Sequence, residues 1–596
     1  MSDLHEEEFN SGFNGKTVLR IIREALHYPH LFFTFLIAVS INSLLNAYST
    51  YVLRSAVDDG IIAKNLDVFF HNILLFGLAI SGIALFVFIF IVAAGFLSER
   101  IQYSLRKRIF EHLQSLPFSY YDKTPVGWIM ARMNSDIPRM ADFVAWMLLD
   151  LTWALMNILA SGYFMFKIDA VLASTLIILI PLLVIVGSKF KAMILKEYRK
   201  SRSINSKITG KFNENISGIR IVKGLVREKR NLNDFNRLND EMFSASYRAA
   251  WLSAMFLPVV QLLTSLGLAV ILWYGVLPST LGRFTIGSLQ AFIGYVGFMM
   301  WPIQNIANVY ASMQNSIAGG ERVFSLLDTK SEIVNRENSE RKNKFKGAIE
   351  FRDVDFHYEK DKPILRKFNL KVNPGDKIAL VGPTGGGKST IVNLVCRFYE
   401  PVGGTILWDG TDYTKFDLQS IYSSLGVVLQ TPHLFSGTIR ENIRYGNLNA
   451  ADEDVIAASK LAHAHDFITE LENGYDEEVG EGGSLLSVGQ KQLISIARAM
   501  LAKPEVIILD EATSSIDTVT EHQIQKGIDS LLAGSTSFII AHRLSTIKDA
   551  DLILVIEDGR ITESGDHKSL IALKGHYYSL YSNQFRAKRE KELAFE

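Results

Sequence analysis

The sequence predicts an α-helical membrane domain of six transmembrane helices with long cytoplasmic extensions, followed by an α/β domain. Three observations carry that prediction. Long stretches without Asp, Glu, Lys or Arg are confined to the first half of the chain, β-rich runs alternate with helical patterns in the second half, and one such run feeds directly into a glycine-rich loop. The 596 residues exceed a single domain, and 48% hydrophobic content is high for a soluble protein. The expected division is a membrane domain over 1–330, a linker over 331–346 and an α/β domain over 347–596.

In chain order, residues 16–27 form an amphipathic elbow helix that suits the inner membrane surface. The charge-free segments 31–53, 68–98, 151–166, 170–188, 249–282 and 285–320 then supply six crossings. The third is too short alone, since its sixteen residues cover only roughly 24 Å, so the span begins before Asp150. Asp150 therefore sits near the inner edge of the bilayer or faces a wet cavity. The segments 99–139 and 189–248 are rich in Arg and Lys and read as helices running on from the membrane. Positive charge stays inside, which places both termini and the second domain in the cytoplasm of a multi-pass protein of the cell membrane. The N-terminus has no signal-peptide pattern. Residues 331–346 are polar and charged, as a linker is. Beyond them, strands are expected at 348–356, 377–381, 424–429, 506–509, 537–541 and 551–557.

Zero formal net charge gives no sign of a nucleic-acid partner. One cysteine, Cys396, excludes an intrachain disulfide and a thiolate metal cluster. The chemistry lies in the glycine-rich loop, Gly382, Pro383, Thr384, Gly385, Gly386, Gly387, Lys388, Ser389 and Thr390, which fits G-x-x-x-x-G-K-[ST]. A strand, a glycine turn and a helix N-terminus in that order aim backbone N–H groups at one anionic spot, so a nucleoside triphosphate is expected there. Lys388 reaches the terminal phosphates and Ser389 is a ligand of the accompanying Mg2+. The apolar run 506–509 ends in Asp510, a second Mg2+ ligand, and Glu511 follows as the general base for the attacking water.

With these elements the chain resembles the ATP-binding cassette (ABC) exporters in which six membrane helices precede one nucleotide-binding domain. The resemblance spans nearly the whole chain and includes the signature-like run Leu486, Ser487, Val488, Gly489 and Gln490, with Tyr358 and Gln430 before it and Asp517 and His542 after it. It implies that Tyr358 stacks on the adenine of ATP and that Gln430 contacts Mg2+ and the water. It further implies that His542 bonds the γ-phosphate and that Asp517 touches the opposite subunit's site. Residues 477–482 look like the loop that meets the cytoplasmic helices, although Glu477 and Gly482 stand where Thr and Arg are usual. Residues 121–127 and 216–220 match the two coupling helices. The signature usually has Gly where this chain has Val488, while Glu511 is intact. That mixture resembles one half of a heterodimeric exporter, whose partner would be a different chain with an intact signature and a degenerate catalytic glutamate. A homodimer is the alternative. The cargo expected is a hydrophobic or amphipathic small molecule carried from the lipid bilayer, with lipid or peptide second. A non-transporting regulator is disfavoured by Glu511 and His542, and an importer by the fusion of membrane and motor parts.

Overall fold

Six helical tracts make up the first half of the protein in a computed structural model that describes residues 15–276, 284–510, 518–540 and 547–582. A short helix, Gly15–Leu26, precedes them. Pro29 opens the first tract, Pro29–Ser55, at the one turn where a missing N–H costs nothing. The second, Leu66–Ser115, is 50 residues long, so it rises roughly 75 Å and runs far past any bilayer. The third runs from Val126 to Ile168 through two wider, π-type turns at Arg132–Asp136 and Phe143–Met147, a feature that apolar periodicity does not reveal. The fourth comprises Ala170–Ile177 and Leu179–Ser217, the fifth Glu228–Val276 and the sixth Ile286–Asp328. Among the described residues, four stretches are long and apolar enough to cross a membrane: Pro29–Ile62, Leu66–Ser115, Val126–Ile168 and Glu228–Gly275. A shorter apolar stretch, Ile286–Met299, begins the sixth tract.

Polar residues in this unit are spent on helix ends and crossings. Asp169 caps the fourth tract by accepting from Val171 N and Leu172 N at 3.0 and 2.9 Å. Asp58 reaches across to the sixth tract and accepts from Gly287 N at 2.8 Å, beside Arg54, whose Nε donates to Ser288 Oγ at 2.9 Å. Asp136 is 1% exposed. It accepts from Arg132 at 2.8 Å and from Arg322 at 2.6 and 2.9 Å, so its buried charge is matched by guanidinium forks.

The second unit gathers Lys330–Glu596 together with Ser115–Thr124. Its first sheet is antiparallel, order β2-β1-β4-β5, from β1 (Ile349–Glu359), β2 (Lys362–Val372), β4 (Gly403–Trp408) and β5 (Thr411–Asp412). The second sheet has order β10-β9-β3-β8-β7-β6. It comprises β3 (Lys377–Val381), β6 (Leu425–Val428), β7 (Val506–Asp510), β8 (Thr536–Ile540), β9 (Leu552–Glu557) and β10 (Arg560–Gly565). All its neighbours pair in parallel except β10, which returns antiparallel at the edge. Period-two alternation sends Ile378 and Leu380 into a core shared with the antiparallel sheet, and Ala379 and Val381 into a core shared with helices such as Val488–Ala502. Each fully buried Ile, Leu or Phe in these cores contributes about 1.5–3 kcal/mol of transfer free energy.

Two polar stretches are more ordered than their composition suggests. Glu340 N donates to Lys415 O at 2.7 Å and Asp417 N to Glu340 O at 3.0 Å, so the stretch before β1 is strapped to the domain that follows. The short helix Phe118–Lys123 stacks Phe118 on Phe398 with ring centroids 5.0 Å apart, and Tyr399 donates to Asp122. It lies slightly earlier than the 121–127 expected from the sequence.

Candidate functional site

The loop after β3 lies directly on the end of β9. Gly382 has φ +141°, and a Cβ there would fall 2.2 Å from the carbonyl oxygen of Ile556. Gly559 N, from the β9–β10 turn, donates to Gly386 O at 3.1 Å and holds the loop from the other side. Pro383, Thr384 and Gly385 form the exposed rim. Helix Lys388–Val395 starts after Gly387, which has no side chain to cap it. Its first-turn N–H groups are therefore left for an anion, as a phosphate cradle requires.

Lys388 folds back over this loop and donates from Nζ to Gly382 O and Pro383 O, each at 2.8 Å. Burial lowers its pKa, and the Asp510 carboxylate at the end of β7 acts in the opposite sense. The structure thus brings together two residues 122 positions apart in sequence, a cation and a carboxylate, as a phosphate with its metal demands. Ser389 is exposed in the first turn. Among the described residues no group of three or more His, Cys, Asp or Glu is placed to hold a metal.

Tyr358, at the end of β1, stands beside the same helix. Its hydroxyl lies 3.2 Å from Thr390 Oγ1 and accepts from Asn393 Nδ2 at 3.4 Å. Its ring meets Phe356 and Tyr399 edge-on, at 4.9 and 5.0 Å between centroids. Thr390 is itself buried, and its hydroxyl faces the tyrosine.

Ser487 and Gln490 form a reciprocal capping box on helix Val488–Ala502. Gln490 N donates to Ser487 Oγ at 3.2 Å, and Ser487 N donates to Gln490 Oε1 at 2.9 Å. Gly489 is buried, whereas Val488 at the first helical position is 52% exposed. Gln430 is exposed just past β6. The loop it opens is held by Arg498, which the sequence did not single out. This guanidinium donates to His433 O at 3.1 Å, to Asn442 O at 2.8 Å and to Asn442 Oδ1 at 2.9 Å, which ties the signature helix to the Gln430 loop. Residues 477–479 pair beside that loop, with Ile439 N donating to Glu477 O and Val479 N to Gly437 O. Glu477, the departure from Thr, accepts from Asn473 N at 3.1 Å and Asn473 Nδ2 at 3.0 Å. Glu511, Asp517 and His542 lie outside the described residues.

Family models place the chain in context. The ABC transporter transmembrane region matches residues 31–303, and the ABC transporter domain matches residues 365–514. An uncharacterized ABC transporter ATP-binding protein, YfiC, of Bacillus subtilis is 37% identical over 92% of this chain and 91% of its own length. An ATP-dependent lipid A-core flippase of Syntrophus aciditrophicus is 34% identical over 95% of this chain and 94% of its own. A putative multidrug export ATP-binding/permease protein, YgaD, of Bacillus subtilis is 36% identical over 82% of this chain and 84% of its own. Among solved structures, that of a bacterial Atm1-family ABC exporter with ATP bound superposes with a TM-score of 0.74 at 27% identity, covering 92% of this chain and 98% of that one.

Proposed function

The chain belongs to the ABC exporters, membrane proteins that act as dimers and couple ATP to transport, and from that premise we propose that it is one half of a heterodimeric exporter of hydrophobic or amphipathic compounds. Lys388 and the loop 382–390 hold the ATP phosphates, Tyr358 stacks on the adenine, and Ser389, Asp510 and Gln430 hold Mg2+. Glu511 activates the water with His542 beside the γ-phosphate, and Asp517 reaches the opposite site. ATP bound between the two chains' nucleotide domains favours their closure, and the coupling helices turn the membrane cavity outward; hydrolysis resets it. Both termini and the ATP-binding domain face the cytoplasm.

One observation carries the two-chain reading. The signature helix is capped as such a helix should be, yet a half-exposed β-branched Val488 occupies its first position, where it would crowd the approach of a phosphate. The chain's own loop and Glu511 would complete a competent site with a partner's signature, whereas Val488 would serve a weaker one. The names of relatives, a lipid A-core flippase, a putative multidrug exporter and a fatty acid transporter, support a lipid-like or amphipathic cargo. The test is ATP turnover by the purified chain alone. We expect slow turnover that Val488→Gly accelerates by about tenfold, the equivalent of ~1.4 kcal/mol. Full family-like turnover by the unaltered chain, with no gain in the variant, would show that a homodimer suffices.

A further inference from the structure

The helix Gly15–Leu26 presents three separate faces. Thr17, Ile21 and Ala25 are buried against the rest of the unit, and Ile21 is seated where Gly320 leaves room for it. Leu19 and Leu26 are exposed apolar residues on a second face. Lys16, Arg20, Arg23 and His27 recur at helical spacing and form a basic third face. The helix is anchored at two places: Arg20 grips Asp328 through two bonds of 2.6 and 2.7 Å, and Arg108, on the second tract, grips Glu24 at 2.9 and 3.0 Å.

Between this helix and the second tract lies a cavity of about 550 Å³, within the size range of small-ligand sites. Arg20, Arg23, His27, Tyr28, Ser104 and Arg108 line it. Among the described residues Glu24 is the one acid on its wall and is engaged by Arg108, and no carboxylate among them is bonded to Arg23. The site is at headgroup level. Pro29 begins the first crossing one residue after Tyr28, and Ser104 lies five residues beyond Glu99, the first charge after the apolar part of the second. That distance is roughly 8 Å along a helix.

From these features we infer that the cavity is a binding site for the phosphate headgroup of an anionic phospholipid. The phosphate sits between Arg23 and Arg108, Tyr28 and Ser104 donate hydroxyl bonds to it, and the acyl chains run along Leu19 and Leu26. Basic pockets beside membrane helices on the cytoplasmic side recognise lipid in this way. The site is built from the helix Gly15–Leu26, the turn after it and the second tract of one chain, whatever the pairing of two chains.

Native mass spectrometry of the delipidated full chain in detergent, titrated with phosphatidylglycerol, phosphatidylethanolamine or inorganic phosphate, tests it. The expected result is retention of phosphatidylglycerol about tenfold or more above phosphatidylethanolamine, falling about fivefold in Arg23→Gln and restored in Arg23→Lys. Arg23 is exposed and its loss leaves the two anchoring ion pairs in place, so the variant folds; Lys229→Gln, a remote basic residue, should retain lipid like the unaltered chain. Equal retention of the two lipids, or undiminished retention in Arg23→Gln, overturns the site. Displacement of the lipid by millimolar inorganic phosphate would assign it to a soluble anion and overturn the lipid reading.

Discussion

At the scale of single residues, the phosphate loop is shaped by what its glycines approach rather than by flexibility. Gly382 and Gly385 both have positive φ, +141° and +85°, but they differ in surroundings. A Cβ at Gly382 would collide with Ile556 O at 2.2 Å, whereas one at Gly385 meets nothing within 4 Å. Gly385→Ala therefore carries backbone strain alone, about 1–3 kcal/mol, and should keep measurable ATP binding. Gly382→Ala adds displacement of the loop from β9 and should abolish it. Equilibrium binding of a fluorescent ATP analogue, with the thermal unfolding midpoint measured alongside, checks this order; equal effects from the two substitutions would show that strain and not the contact with Ile556 shapes the loop. The motif was legible in the sequence because its residues are contiguous. Its support was not: Ile556 and Gly559 lie more than 160 residues downstream, and only the pairing of β3 with β9 brings them underneath.

At the scale of elements, legibility followed burial. The expected 377–381 strand coincides with β3, and β6 to β9 were found within a residue or so, because strands in a parallel sheet are covered on both faces and read as unbroken apolar runs. The strands β2, β4, β5 and β10 are not legible in the sequence. In β2 and β10 exposed and partly covered residues interrupt the apolar ones, and β5 is only two residues long. The stretch before β1 reads as linker from its charges, yet it is held chiefly through its backbone, with one charged side chain, Lys342, beside it. Asp409, at the β4–β5 turn, accepts from Lys346 N at 2.8 Å, Lys342 Nζ at 2.9 Å and Ala348 N at 3.1 Å. Burial alone would raise its pKa, but the bonds from Lys346, Lys342 and Ala348 outweigh it and hold the carboxylate below the usual range. Because the folded pKa is the lower one, the stabilisation is complete above the unfolded value near 3.9 and disappears as pH falls through the folded value. Asp409→Asn should cost about 1.5–3 kcal/mol at pH 7, and the cost should shrink only as pH falls through the folded value, below the usual carboxylate range. Unfolding of both proteins across pH measures this, and a penalty that does not shrink in acid would assign the effect to packing instead. Arg498 belongs to the same scale. Arg498→Gln should leave ATP binding near normal and slow turnover, since it releases the Gln430 loop from the signature helix without touching the phosphate cradle.

At the scale of the whole molecule, the helix Ile219–Gly224 and the turn after it pose the remaining question of assembly. Ile221 is 68% exposed and Val226 80%, with Ile219 and Leu225 exposed beside them. Val226 also holds φ +53°, which a β-branched residue adopts only where neighbours fix it; Arg227 N donating to Val222 O at 3.0 Å does so. Exposed apolar residues at the turn between two long helices suit a protein surface better than water. In a family that acts as dimers, the occupant we expect is the partner's ATP-binding domain. The chain is well suited to testing this, because its one cysteine is buried and burial pushes the Cys396 thiol up to about 12, so a new exposed thiol would react alone. Ile221→Cys should cross-link to the partner's ATP-binding domain with a short bifunctional reagent. Ile221→Asp should lower transport by about thirtyfold, the loss of an anchor worth ~2 kcal/mol, while ATP still binds at loop 382–390. If Ile221→Asp transports normally and Ile221→Cys never joins the two chains, motion of the ATP-binding domains reaches the membrane by the Phe118–Lys123 helix alone.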